Sequence, residues 1–109
     1  MKDMIRVIVK KPGRRPYSTH IANSLKSLQG QVEGYIETLP VGNMLMIVNE
    51  EGKLKHLQAN FYIKDYKDVI HGNAVFVGTT GEDLADCPMT FKEFKDAYPQ
   101  LWAGDVAII

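Results

Sequence analysis

Cysteine is nearly absent. Cys87 stands alone, so no internal disulfide can form, and a reducing, cytoplasmic setting is the natural expectation. No stretch approaches the ~20 apolar residues of a membrane-spanning helix. The opening Met1-Lys2-Asp3-Met4 runs into an alternating segment that contains Arg6, unlike the apolar block of a signal peptide. There is no repeat, no low-complexity tract and no long linker. A phosphate-cradling glycine loop, a nucleophile elbow and a paired cysteine motif are all missing. An enzyme of this size would have to assemble its site from scattered side chains, so no enzymatic activity is expected. His20, His56 and His71 fall in three segments without metal-ligand spacing, so neither a metal site nor a cofactor is expected.

Net charge is absent as well, with 13 Lys and Arg against 13 Asp and Glu. The charges are nevertheless sorted along the chain. Up to Gly30 there are seven bases and one acid; beyond it there are six bases and twelve acids. Such asymmetry points to a charged partner. At 109 residues, with 45% hydrophobic and 24% charged, the chain has globular composition and room for one core. A single domain over residues 1–109 is expected.

The segment 4–10 is rich in β-branched residues and reads as a strand covered on both faces. Pro12-Gly13-Arg14-Arg15-Pro16 is a turn, and residues 17–21 return as the second strand. Asn23 or Ser24 caps a helix with Leu25, Leu28 and Val32 on its apolar face. Gly34 ends that helix, where positive φ is often required. Residues 35–39 alternate as a strand, 40–43 turn, and 44–48 are apolar throughout, as in a central strand. Residues 54–66 fit a helix through Leu54, Leu57 and Phe61, and a strand through Phe61-Tyr62-Ile63. Residues 73–78 read as a strand and 79–88 as a polar loop. Thr90 and Glu93 form a capping box for a helix that Pro99 stops. The tail Val106-Ala107-Ile108-Ile109 reads as a last strand, whose edge must be covered by the chain itself or by a second copy, giving a homo-oligomer. The expected class is α+β: a curved, mostly antiparallel sheet of five or six strands, one crossing helix and a short C-terminal helix.

Lys10, Lys11, Arg14 and Arg15 crowd the tip of the first hairpin. A ribbon with a cationic tip can grip phosphates or enter a nucleic-acid groove; the plain alternative is a solvated turn. Glu50 and Glu51 flank another turn near Glu37, but neighbouring strand residues point to opposite sides, which speaks against a convergent carboxylate pair. Cys87 lacks an evident base and reads as a structural thiol. Tyr17, Tyr35, Tyr62, Tyr66, Tyr98 and Trp102 outnumber what one small core needs, and such side chains serve planar ligands and interfaces.

The stretch Ile5-Arg6-Val7-Ile8-Val9-Lys10-Lys11-Pro12-Gly13 resembles the opening of a family of short bacterial and phage proteins, the domain of unknown function DUF3846. Three more pieces match in order and spacing: Gly34-Tyr35-Ile36-Glu37, Asn49-Glu50-Glu51-Gly52-Lys53-Leu54, and Asp68-Val69-Ile70-His71-Gly72-Asn73-Ala74 leading to Val77-Gly78. The likeness spans residues 4–78. The family's Leu-Pro-Pro-Asn stretch is replaced here by Leu57-Gln58-Ala59-Asn60. The resemblance implies an accessory protein of a phage or mobile element and supplies no catalytic residues.

The functional expectation is a non-enzymatic binding protein, a counter-defence inhibitor that captures a host protein or a nucleotide-like anionic signal. Nucleic-acid binding through the basic tip is the first alternative, and a small hydrolase or transferase is the second and lesser one. The candidate contacts are Lys11, Arg14, Arg15, Tyr35 and Glu37. No membrane partner is expected.

Overall fold

The computed structural model describes residues 3–109. Its elements follow in chain order: β1 (Met4–Lys10), β2 (Tyr17–Ala22), α1 (Leu25–Val32), β3 (Ile36–Val41), β4 (Met44–Asn49), β5 (Ala59–Ile63), β6 (Asp68–His71), β7 (Ala74–Thr80), β8 (Asp83–Ala85), α2 (Phe91–Ala97) and β9 (Ala107–Ile108). The main sheet is antiparallel in the order β2-β1-β7-β4-β3, and β8 folds back on β7. A second sheet has the order β6-β5-β9, with β9 parallel to β5. The α+β class is as expected, and the main sheet has six of the expected five or six strands; the second sheet goes beyond that expectation.

Alternation within β1 explains the layering. Ile5, Val7 and Val9 face α1, where they meet Leu28 and Val32 together with Ile47 and Val75. Ile8 faces the other way, toward Met46, Phe61, Phe76, Phe94 and Leu101. That second core lies between the main sheet, the small sheet and α2. Phe76 is its centre: Phe94 meets it edge-on at 4.9 Å and Phe61 stacks at 6.3 Å. Each of these fully buried rings contributes about 1.5–3 kcal/mol from burial alone. With both faces covered, β1, β4 and β7 read as nearly continuous apolar runs. β4 is buried as expected, although β7 holds the middle position.

α1 joins β2 to β3, the two opposite edges of the main sheet, so the crossover must traverse its full width. Ser24 is the cap, its hydroxyl accepting from the Ser27 amide at 3.1 Å. Leu25, expected on the apolar face, is 58% exposed; the helix packs through Leu28 and Val32 alone. At the other end the left-handed residue is Glu33, φ 61°, one position earlier than expected. Gly34 serves a different need. A Cβ there would come within 2.6 Å of the Asn49 side-chain amide. That buried amide donates to the carbonyls of Val32 (3.0 Å) and Glu33 (3.3 Å), closing the helix end.

The ambiguous segment 54–66 resolves into turns through residue 56, then β5, then a short 3-10 turn at Lys64–Tyr66. Residues 79–88, expected as a loop, contain the end of β7 and all of β8. The capping box is present: the Glu93 amide donates to the Thr90 hydroxyl (3.1 Å), and the Thr90 amide donates to the Glu93 carboxylate (2.9 Å). The C-terminal tail pairs with its own chain. The Ile109 amide donates to the Tyr62 carbonyl, and the Lys64 amide donates to the Ile109 carbonyl, both at 2.8 Å. The Gln100 amide caps the Ile108 carbonyl at 3.0 Å.

Candidate binding site at one end of the sheet

Antiparallel order brings distant turns to a common end. β1 and β4 finish where β2, β3 and β7 begin. The hairpin turn 11–16, the helix end 33–35, the turns 50–56 and the tight turn at residues 72–73 therefore sit together. Lys11, Arg14, Arg15 and Tyr35 lie on this end, and Glu37 is the second residue of β3 beside it. Four left-handed residues shape these turns: Gly13, Glu33, His56 and Gly72. Two of them carry side chains that make this conformation costly.

The basic cluster is smaller than the sequence suggested. Lys10 is only 3% exposed. It faces the same side of β1 as Ile8, so its chain runs into the second core. Its ammonium donates to the Asn60 side-chain oxygen at 3.0 Å and to the Lys11 carbonyl at 2.8 Å. Asn60 in turn donates to the Lys10 carbonyl (2.7 Å) and the Gly72 carbonyl (2.8 Å). Burial lowers the Lys10 pKa from its ordinary 10.5. Arg6 is half-buried and engaged: its guanidinium donates to the carbonyls of Cys87 and Met89. Lys2 lies outside the described residues.

Of what remains, Arg14 and Arg15 are exposed and Lys11 is half-buried. Among the described residues, the Arg14 and Arg15 side chains have no ion pair and no hydrogen bond. Lys11 stands over the Tyr17 ring, 5.9 Å from its centroid. Those two residues line a shallow polar recess with Gly30, Gln31, Glu33 and Asn73. The Asn73 amide donates to the Gln31 carbonyl at 2.9 Å, which holds the recess floor in place. Sequence reasoning found Lys11 but missed Gln31 and Asn73, because they lie 20 and more positions away in other elements.

Glu37 belongs to a different recess. A cleft of about 160 Å³ opens between β3, the turn after β4, and β6. Leu39, Val48, Val69 and Ile70 form its apolar lining, and Glu37, Glu50, Glu51 and Asp68 supply carboxylates. Lys53, its one lysine, is in direct contact with Asp68. That contact, as a hydrogen bond, is the main cause of a lowered Asp68 pKa. Gly52 seats the turn: a Cβ there would fall 2.5 Å from the His71 carbonyl oxygen. Tyr35 lines neither recess and is 65% exposed. The structure thus gathers all five candidates at one end but divides them. Lys11 lines the polar recess, Arg14 and Arg15 stay in the exposed turn, and Glu37 sits among like charges. No group of three or more His, Cys, Asp or Glu is arranged to hold a metal ion among the described residues. Among them, too, no helix is long and apolar enough to cross a membrane.

Most residues of the acidic cleft come from the segments that carry the family resemblance, namely 34–37, 49–54 and 68–74. In the sequence these segments carried the resemblance alone; the fold brings them together as a cleft. The family model for DUF3846, a domain of unknown function, matches residues 5–99. The chain belongs to this family. The match extends past the likeness read from the sequence, through β8 and α2. No curated protein and no solved structure matches the chain.

Proposed function

We propose that this member of the family is a non-enzymatic binding protein of a phage or mobile element that captures an anionic host partner at the hairpin end of its main sheet. The observation that carries this reading is the state of Arg14 and Arg15. Both lie exposed in the turn that joins β1 to β2 at the edge of the main sheet, and no carboxylate of the described residues forms an ion pair with them. Guanidinium groups so placed hold phosphate or carboxylate oxygens in bidentate fashion. The neighbouring recess adds an ammonium, an aromatic face and two carboxamide side chains, groups suited to a nucleotide-like ligand, with the Glu33 carboxylate as an acceptor for its base or sugar donors.

Thermal-shift and calorimetric titration against nucleotides and cyclic dinucleotides tests the small-molecule form. Binding should weaken at least tenfold in Arg14→Ala/Arg15→Ala, since each charge-assisted hydrogen bond is worth about 1.5–3 kcal/mol. Absence of binding by every nucleotide tested removes this form. The exposed tip also favours a second reading, nucleic-acid binding. That reading requires affinity for DNA or RNA that falls steeply with salt, and salt-insensitive binding rejects it.

A further inference from the structure

The acidic cleft adjoins an open strand edge, and the pairing phase of β3 shows where. The Glu50 amide donates to the Tyr35 carbonyl at 2.9 Å, and β3 pairs with β4 in continuous register from Ile36↔Asn49 to Val41↔Met44. Hydrogen-bonded and non-hydrogen-bonded pairs alternate in such a ladder. Residues 35, 37, 39 and 41 therefore bond to β4, while Ile36, Thr38 and Pro40 direct their backbone groups outward. The Pro40 end is closed: it has no N–H, and the Tyr66 hydroxyl donates to its carbonyl at 2.5 Å. The Ile36–Thr38 half is open, because β3 is the last strand of its sheet. On the facing wall, the outward Val69 amide of β6 is already taken by the Asp68 carboxylate at 2.9 Å.

We propose that β3 receives an extended, basic segment of another protein, added as a further antiparallel or parallel strand along Ile36–Thr38. Strand addition draws affinity from main-chain hydrogen bonds and specificity from every second side chain. Side chains of the added strand that face the cleft meet Glu37 and the rim at Glu50 and Glu51, over the apolar lining of Leu39, Val48 and Val69. Lys53 is matched to Asp68, which leaves the surplus negative. Lys or Arg at alternate positions complements that surplus. Leu54, 78% exposed at the mouth, offers an apolar contact to a side chain between them. A second copy of this chain is a poor occupant, because β3 against β3 would set Glu37 near its own counterpart.

The probe is a labelled peptide, acetyl-Lys-Thr-Lys-Val-Lys-Thr-Lys-amide, with an otherwise identical peptide carrying Glu for Lys as control. Fluorescence anisotropy and amide hydrogen exchange on the whole chain are the readouts. The basic peptide should bind and slow exchange at Ile36 and Thr38, and the acidic one should not. Glu37→Gln/Glu50→Gln should weaken binding about three- to tenfold at low salt. Thr38→Pro removes the outward N–H while leaving the β4 ladder intact, and should abolish protection with little loss of fold. Arg14→Ala/Arg15→Ala should leave peptide binding unchanged, which separates this site from the anion site. Equal binding of both peptides, unaltered exchange at Ile36 and Thr38 under saturation, or burial of this edge in a homodimer would overturn the proposal.

Discussion

Replacing Asn60 should unfold this protein more readily than any surface change, and the size of the effect follows from its contacts. The Asn60 side chain is 1% exposed and Lys10 is 3% exposed. The amide of Asn60 donates to two carbonyls, of Lys10 and Gly72, and its oxygen accepts from the Lys10 ammonium. In Asn60→Ala both carbonyls lose a partner, and the buried ammonium keeps only the Lys11 carbonyl. An orphaned buried polar group costs about 1–3 kcal/mol, and more when charged; here two carbonyls and an ammonium each lose a partner. A loss of about 3–5 kcal/mol is expected, against a total of about 5–15 kcal/mol for an ordinary domain. Tm should fall by roughly 15–25 °C. Urea unfolding followed by circular dichroism measures it. Asn60→Asp is the informative control. A carboxylate would satisfy Lys10 but turn acceptors toward two carbonyls, so this variant should also be destabilised. A loss under about 1 kcal/mol for Asn60→Ala, or full stability of Asn60→Asp, would refute the reasoning.

Two further changes test other parts of the fold. Gly34→Ala should cost about 1–3 kcal/mol, as expected for overpacking, because its Cβ would press on the Asn49 amide. In an Asn49→Ala background the same substitution should cost far less, and a double-mutant cycle reads the coupling. Cys87 predicts a pH slope. Burial raises its thiol pKa above the ordinary 9.0, so the unfolded chain gives up that proton first. The folded state then binds more protons, and stability falls as pH rises above 9.0. The lowered Lys10 pKa acts in the opposite sense, so the measurement is the difference between the native chain and Cys87→Ala. Urea midpoints on either side of that pH should converge for the two proteins if the thiol is responsible, and a constant difference excludes it.

Legibility varied with range. The Thr90–Glu93 capping box was visible because its partners are three residues apart. The first hairpin was visible because Gly13 and two prolines punctuate two β-branched runs. The end of α1 was misread by one residue. The glycine there answers to Asn49, which lies 15 positions further on, and not to a dihedral requirement. The segment 54–66 carried both periods at once. Its strand half was selected by partners at β6 and β9, which no local pattern announces. Among the candidate site residues, Arg14 and Arg15 stand where a turn must put them. Glu37 proved to face a cleft whose other walls come from residues 48–54 and 68–71.

By itself the sequence determined much of what depends on near neighbours and on period: the extended runs of β1 to β4 and β7, the Thr90 cap of α2, and that cations crowd one turn. The tertiary structure alone decided the strand order, the second sheet and the fate of individual charges. Lys10 and Arg15 are both basic residues of the first hairpin, yet one is buried and the other bare. The difference is Asn60, 50 positions away, brought under β1 by β5. A lone charge cannot enter a core without such a partner, and only the folded chain supplies it.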